Sequence, residues 1–396
     1  MRKRILGATI VILAVAIVGA AAWWFSPGSA EFRYSHADLV SLWRFTQDDP
    51  KNALAWRELG MRLAKQGDPL AEKPLREAHA LLPDDAEVGS ALGELLLSEK
   101  QIPEAFQILK AVTEKHPSFA PAHIALGHLY RRKGSYLHAA EQYELAVKLD
   151  KEDAQSWHDL ALCYLQNQQS ANAKTAIDQA LIRKPADPGF LALKGSIDVV
   201  TGAVDSGFAN LNKASQLAPT DQMIQNALLN ALITYHRGPE DLKQARDIAL
   251  RLQIDSPKSP QLLFQLGEIA RLSGNWSDAV HYLEASLAAA PEKDDTYFSL
   301  GQAYSRVGRP ADAERMLALH KKRREVHGKI NDVRVVIGTN PNNASLYKQL
   351  ATLQGSIGDS AAELDAWRSL LQIAPNDEEA KARVEKLTKE LAANQK

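Results

Sequence analysis

The chain has 396 residues, 45% of them hydrophobic and 24% charged, with a formal net charge of −1. That is enough apolar material for a large core, so wholesale disorder is excluded, and so near-neutral a chain is a poor general binder of nucleic acid. Cys163 is the only cysteine, which excludes an intramolecular disulfide framework, a Cys-rich zinc site and a CxxC redox pair.

At the N-terminus, Arg2, Lys3 and Arg4 give residues 1–4 the character of a short cytoplasmic basic tail, and residues 5–25 follow without a single charge. As a helix, a stretch of about 20 residues spans roughly 30 Å, the thickness of a bilayer hydrocarbon core. Trp23 and Trp24 close the apolar run on the side away from the basic residues. Basic residues stay in the cytoplasm and Trp prefers the interface, so residues 5–25 are predicted to be a signal anchor with the rest of the chain outside the cytoplasm, in the periplasm of a bacterial inner membrane. Two alternatives stand beside this. Gly28-Ser29-Ala30 resembles a cleavage site, which would release a secreted, soluble protein. The opposite orientation would give a membrane-anchored regulatory adaptor facing the cytoplasm. Residues 26–52 read as a linker ending in one capping helix, Ala37 to Gln47.

From residue 53 the chain repeats. The small or apolar positions Gly60, Gly93, Gly127, Ala161, Gly195, Leu229, Gly267, Gly301 and Ala351 recur mostly every 33 or 34 residues, and a second small residue follows most of them twelve places later. In the fourth unit, Trp157, Leu160, Ala161 and Tyr164 fall at i, i+3, i+4 and i+7, one stripe of a helix. Gly67, Gly134, Gly202, Gly274, Gly308 and Gly358 mark a turn inside each pair of helices, and prolines such as Pro83, Pro117 and Pro185 end the pair. Each unit is therefore a helix–turn–helix. Units start near 53, 86, 120, 154, 188, 222, 260, 294 and 344.

This pattern resembles the tetratricopeptide repeat, Trp-x2-Leu-Gly-x2-Tyr…Ala-x3-Phe…Pro. Trp56, Leu59, Gly60, Leu63, Ala71, Leu75 and Pro83 carry it in the first unit; His123, Leu126, Gly127, Tyr130, Ala139 and Tyr143 in the third; Tyr297, Leu300, Gly301, Tyr304, Ala313 and Leu317 in the eighth. The resemblance covers residues 53–377 and implies an all-α, right-handed superhelical solenoid of about nine repeats behind the membrane helix. Repeat 5 departs from it with Lys194, Asp198 and Gly207, and Glu363 replaces the second small residue of repeat 9. Repeat 8 carries an extension that predicts one prolonged helix over about 310–338, with Gly328 as a candidate kink, either packed on repeat 9 or projecting as an arm for self-association. Its basic run Lys321-Lys322-Arg323-Arg324 reads as solvated helix surface. Residues 378–396 read as a polar capping helix and tail.

No HExxH, GxSxG, Walker-type or GxGxxG motif is present, and the eleven histidines show no ligand spacing. The expectation is a protein with no enzymatic activity, no cofactor, no metal and no small-molecule substrate. The resemblance implies a concave groove, lined by the first helix of each repeat, that takes partner peptides or helices. It places His128, Arg131, His158, Asn226, Asn230, Phe264 and Phe298 on that lining. Asn226 and Asn230 are one turn apart and suited to gripping an extended chain across repeats six to eight, with Phe264 and Phe298 as a shared aromatic pocket. The overall architecture is similar to bacterial anchored tetratricopeptide proteins that assist envelope assembly, so the chain is expected to be an interaction scaffold or assembly factor.

Overall fold

A periodic N-cap punctuates the chain. Asn52, Asp85, Asp153, Asp187, Asp221, Ser259 and Asn343 each stand just before the first helix of a repeat, with a side-chain oxygen accepting from a backbone N–H of its first turn. The computed structural model describes residues 30–393. Among them are twenty-one α-helices, one short 3-10 turn (Pro69–Ala71) and no strand. The predicted membrane segment 5–25 lies outside the described residues, and among the described residues no helix is long and apolar enough to cross a membrane.

The chain forms two compact units that meet in sequence at Leu217 and Ala218. The first holds repeats 1 to 5 as helix pairs, from Ala53–Lys65 with Glu72–Leu81 to Pro188–Val200 with Val204–Leu217. Ahead of repeat 1 stand two helices, Ala30–His36 and Leu39–Asp48, rather than one. Asp38 is the reason: its carboxylate accepts from Ser41 N and starts a new helix just after Ala37. Arg62 of repeat 1 donates to the carbonyls of Tyr34, Ser35 and Ala37, capping the C-terminal end of the shorter helix. The second unit holds repeats 6 to 9 and the closing helix Glu378–Ala393.

Several pairs are held by small-to-large contacts at a spacing of fifteen or sixteen residues. A Cβ on Gly60 would lie 2.9 Å from Leu75, one on Gly127 2.9 Å from the Tyr143 ring, and one on Gly267 2.6 Å from Leu283. The large partners are fully buried, each contributing roughly 1.5–3 kcal/mol of hydrophobic stabilisation. Where an aromatic ring stands near the start of a first helix, it does more than pack. Trp56, Trp157 and Tyr297 each donate to the carbonyl six residues earlier, at Pro50, Lys151 and Pro291, and His123 Nε2 meets Pro117 O at 3.0 Å. The inter-repeat loop is thereby tied to the helix it feeds. All six turn glycines named above have positive φ, and Lys100 (φ 65°) and Gln168 (φ 60°) take that place in repeats 2 and 4.

Repeat 5 solves its own irregularity. Asp198, 1% exposed, accepts from Ser206 and Asn210 and pairs with Lys194, which also reaches Asp178 at 2.7 Å. In repeat 9, Glu363 is buried on the Trp367 indole N–H and the Arg383 guanidinium.

The extension of repeat 8 is one unbroken helix, Pro310–Thr339, running through Gly328. Val326, Ile330 and Val333 bury themselves in the core of repeat 9 with Leu350, Leu364 and Trp367, so this stretch packs and does not project. The basic run is not all solvated surface. Arg323 is 7% exposed and donates to the carbonyls of Ile357 and Glu292 and to Asp294, with its guanidinium over the Tyr297 ring. Lys321, Lys322 and Arg324 remain exposed.

Candidate functional site

In the first unit the inward row assembles a charged cluster. Helices Ala86–Ser98, Ala120–Arg132 and Ala154–Gln166 place Glu94, His128 and Asp159 side by side. His128 Nδ1 lies 3.2 Å from Glu94 Oε1 and its Nε2 3.6 Å from Asp159 Oδ2. Arg131 and His158 reach the same carboxylate at 3.5 and 3.2 Å, and the His158 ring stacks on Phe190. Burial pulls the His128 imidazole down, but Asp159 and Glu94 outweigh it and raise its pKa to about 9. Asp159 is 4% exposed; burial pushes its carboxyl up, yet His128, His158 and Arg131 hold it well below the usual carboxylate range. A charged histidine thus ties the first helices of three successive repeats. His128, Arg131 and His158 are therefore brought together, around a carboxylate the sequence reading did not single out.

Beside this cluster an open cavity of about 420 Å³ is lined by Glu94, Ser98, His128, Arg131 and Arg132. A larger one of about 970 Å³, between the first helices of repeats 1 and 2, shares Glu94 and Ser98 with it and is bordered by Arg57, Arg62 and Lys65. The two lie side by side along the first helices of repeats 1 to 3, with Glu94 and Ser98 in both linings. Nearby, the thiol of Cys163 is fully buried and burial pushes its pKa up to about 12, which leaves it unreactive. Among the described residues no group of three or more His, Cys, Asp or Glu is placed to hold a metal ion.

In the second unit, Asn226 and Asn230 line a cavity of about 430 Å³ with Gln222, Gln261 and Gln265. Asn226 Nδ2 donates to Gln222 O at 2.7 Å, and Asn230 Oδ1 accepts from Gln265 Nε2 at 2.7 Å. Phe264 and Phe298 stand in different surroundings. Phe264 is half-buried against the core of repeats 7 and 8. Phe298 is 43% exposed and its ring leans on His320 of its own repeat, 5.4 Å away. Between these two repeats the lining is instead polar: Arg271 forms a fork with Glu268 (2.7 and 3.0 Å) and reaches Gln302 at 3.3 Å.

The residues missed are Glu94, Asp159 and Gln265. Asp159 and Gln265 occupy the same place in their repeats, two residues before Ala161 and Gly267. A polar residue there was the available signal.

Paired helices joined by tight turns, with polar side chains gathered on the first helices, define a helical-repeat protein. The tetratricopeptide repeat family profile matches residues 124–189 and 264–321, so these stretches are tetratricopeptide repeats. Among curated proteins it is similar to the CTR9 homolog of Arabidopsis thaliana, 22% identical over 73% of this chain and 26% of that one. It also resembles the human protein O-mannosyl-transferase TMTC3, 23% identical over 54% of this chain and 20% of that one. The chain thus spans only about a quarter and a fifth of the length of these relatives. Among solved structures, a tetratricopeptide repeat protein from Parabacteroides merdae matches with a TM-score of 0.49 and 15% identity, over 63% of this chain and 98% of that one.

Proposed function

We propose that the chain is a non-enzymatic scaffold or assembly factor of the bacterial cell envelope. In this reading residues 5–25 anchor it in the inner membrane, the repeats lie outside the cytoplasm, and the linings of the first helices receive a peptide or helix from a partner protein. The observation that carries the binding role is the pair of adjacent openings along repeats 1 to 3, which share Glu94 and Ser98. Its walls are rigid helices, and its charged groups are already oriented by Asp85, Asp159 and Glu94, so little ordering is needed when a ligand enters. The charge asymmetry around residues 5–25 supports the topology.

Two experiments test this. A photo-crosslinker at Arg131 should capture a protein partner in native membranes, whereas one at Lys174, on the exposed second helix of repeat 4, should capture far less. Equal capture, or none from Arg131, would remove the inner lining as the binding face. For topology, a phosphatase reporter that works only in the periplasm, fused after Lys396, should be active; a stable but inactive fusion rejects it. Sequencing the mature N-terminus separates the anchor from cleavage after Gly28-Ser29-Ala30.

A further inference from the structure

The cavity in the second unit differs in kind from the charged opening in the first. Five carboxamide side chains line it, those of Gln222, Asn226, Asn230, Gln261 and Gln265, and no charged or aromatic side chain does. Gln265 is 3% exposed; its Nε2 is bonded to Asn230, and its Oε1 has no donor at all. Buried amide oxygens are nearly always paired, because stripping one of water without a replacement hydrogen bond opposes folding. Gln265 lines the cavity, and its unpaired acceptor is suited to a donor that arrives with a ligand.

We infer that this cavity is a specificity pocket for an uncharged carboxamide, the side chain of an asparagine or glutamine in an extended segment of the partner. This deepens the scaffold reading and rests on it for the ligand being a protein. A carboxylate would set acceptor against acceptor at Gln265 Oε1. An ammonium would satisfy that oxygen but lie buried with no carboxylate among the lining residues. A carboxamide brings N–H to the orphan oxygen and a carbonyl to the surrounding amides. It also serves if Gln265 and Asn230 are both turned, since their mutual bond survives and the orphan group becomes an N–H₂. With no aromatic face in the lining, a sugar or a base has nothing to stack on. Met223 and Ile254 are 83% and 80% exposed and lie one residue from Gln222 and two residues from Ser256 of the lining, apolar surface suited to a polypeptide cover.

The test uses the full-length protein in detergent micelles and fluorescence anisotropy with labelled dodecapeptides. One alternates serine with asparagine and glutamine; its isostere carries aspartate and glutamate instead. The amide peptide should bind at least about tenfold more tightly than the acidic one. Gln265→Met should abolish that preference while leaving the melting temperature unchanged or raised, since the unpaired acceptor leaves with the side chain and Asn230 is exposed enough to take a water in its place. Asn226→Ala should weaken the amide peptide with the fold intact. Equal affinity for the two peptides, no binding of the amide peptide up to millimolar concentration, or undiminished preference in Gln265→Met would each overturn the inference. Capture of a partner from Arg131 alongside any of these results would leave the scaffold reading standing and remove only the amide pocket.

Discussion

Gly195 and Gly207 meet backbone to backbone across repeat 5: a Cβ on Gly195 would lie 2.7 Å from Gly207 O, and one on Gly207 2.8 Å from Gly195 O. Elsewhere the small residue faces a side chain that can shift. Here it faces a carbonyl fixed by a helix. Gly195→Ala should therefore destabilise by about 1–3 kcal/mol, and Gly207→Ala by a similar amount. Gly328, mid-helix with nothing within 4 Å, is the contrasting control. Gly328→Ala should stabilise by roughly 0.5–1 kcal/mol. Urea midpoints of the three variants check both signs. Because repeats contribute nearly additively, hydrogen exchange should show the Gly195→Ala damage centred on repeat 5 and its neighbours.

Lys100 and Gln168 occupy, with positive φ, the turn position that glycine takes in six other repeats, and both are exposed. A left-handed conformation costs a residue with a Cβ about 1–2 kcal/mol, part of which glycine returns as unfolded-state entropy. Lys100→Gly and Gln168→Gly should each raise stability by roughly 0.5–1 kcal/mol, read as a higher melting temperature. A drop in both would contradict the backbone assignment of these turns.

The Glu94–His128–Asp159 cluster predicts a pH dependence of stability. His128, raised to about 9, contributes stability that is complete below its unfolded value of roughly 6.5 and is lost as pH climbs through 9. Asp159, held low, contributes stability present above about 3.9 and lost as pH falls below it. The groups facing them are Glu94, Arg131, His158 and the buried Tyr143 ring. Stability should decline between about pH 6.5 and 9, and His128→Gln should flatten that decline. Urea midpoints across the range decide it; an identical slope in the variant would clear His128 of the effect.

Arg323 joins the loop before repeat 8 to the turn of repeat 9 through two carbonyls and Asp294. Arg323→Met leaves those buried acceptors without donors and should cost about 2–4 kcal/mol, with exchange protection lost mainly in repeats 8 and 9. Lys322→Met, on the exposed side, should change stability by less than about 0.5 kcal/mol.

Phe264 and Phe298 separate by burial. Phe264→Ala should cost roughly 2–4 kcal/mol because half its ring is in the core, whereas Phe298→Ala should be close to neutral. Thermal melts of the single variants measure this directly, and similar losses for the two would put both rings in the core.

Much of the fold was legible because a tetratricopeptide repeat writes its packing into local sequence. The interval from Gly127 to Tyr143 is also the contact, since both residues belong to one short hairpin. The turn glycines from Gly67 to Gly358 announced backbone that only glycine adopts freely. The acidic N-caps at Asp85, Asp153, Asp187 and Asp221 were equally legible and were passed over. The site was less so. Which helix face points inward follows from periodicity, but what a side chain does there depends on residues about 30 positions away in the next repeat. His128 is an ordinary surface histidine until Glu94 and Asp159 close on it, and Gln265 is an unremarkable polar residue until Asn230 takes one end of its amide and burial strips the other. Phe264 and Phe298 share a register yet differ in burial, because Phe264 packs on the core of repeats 7 and 8 whereas Phe298 leans on His320 of the helix that follows it. Local spacing determines contacts within a hairpin; only the stacking of hairpins brings Glu94 and Asp159 onto His128, which keeps it charged, and buries the unmet acceptor of Gln265.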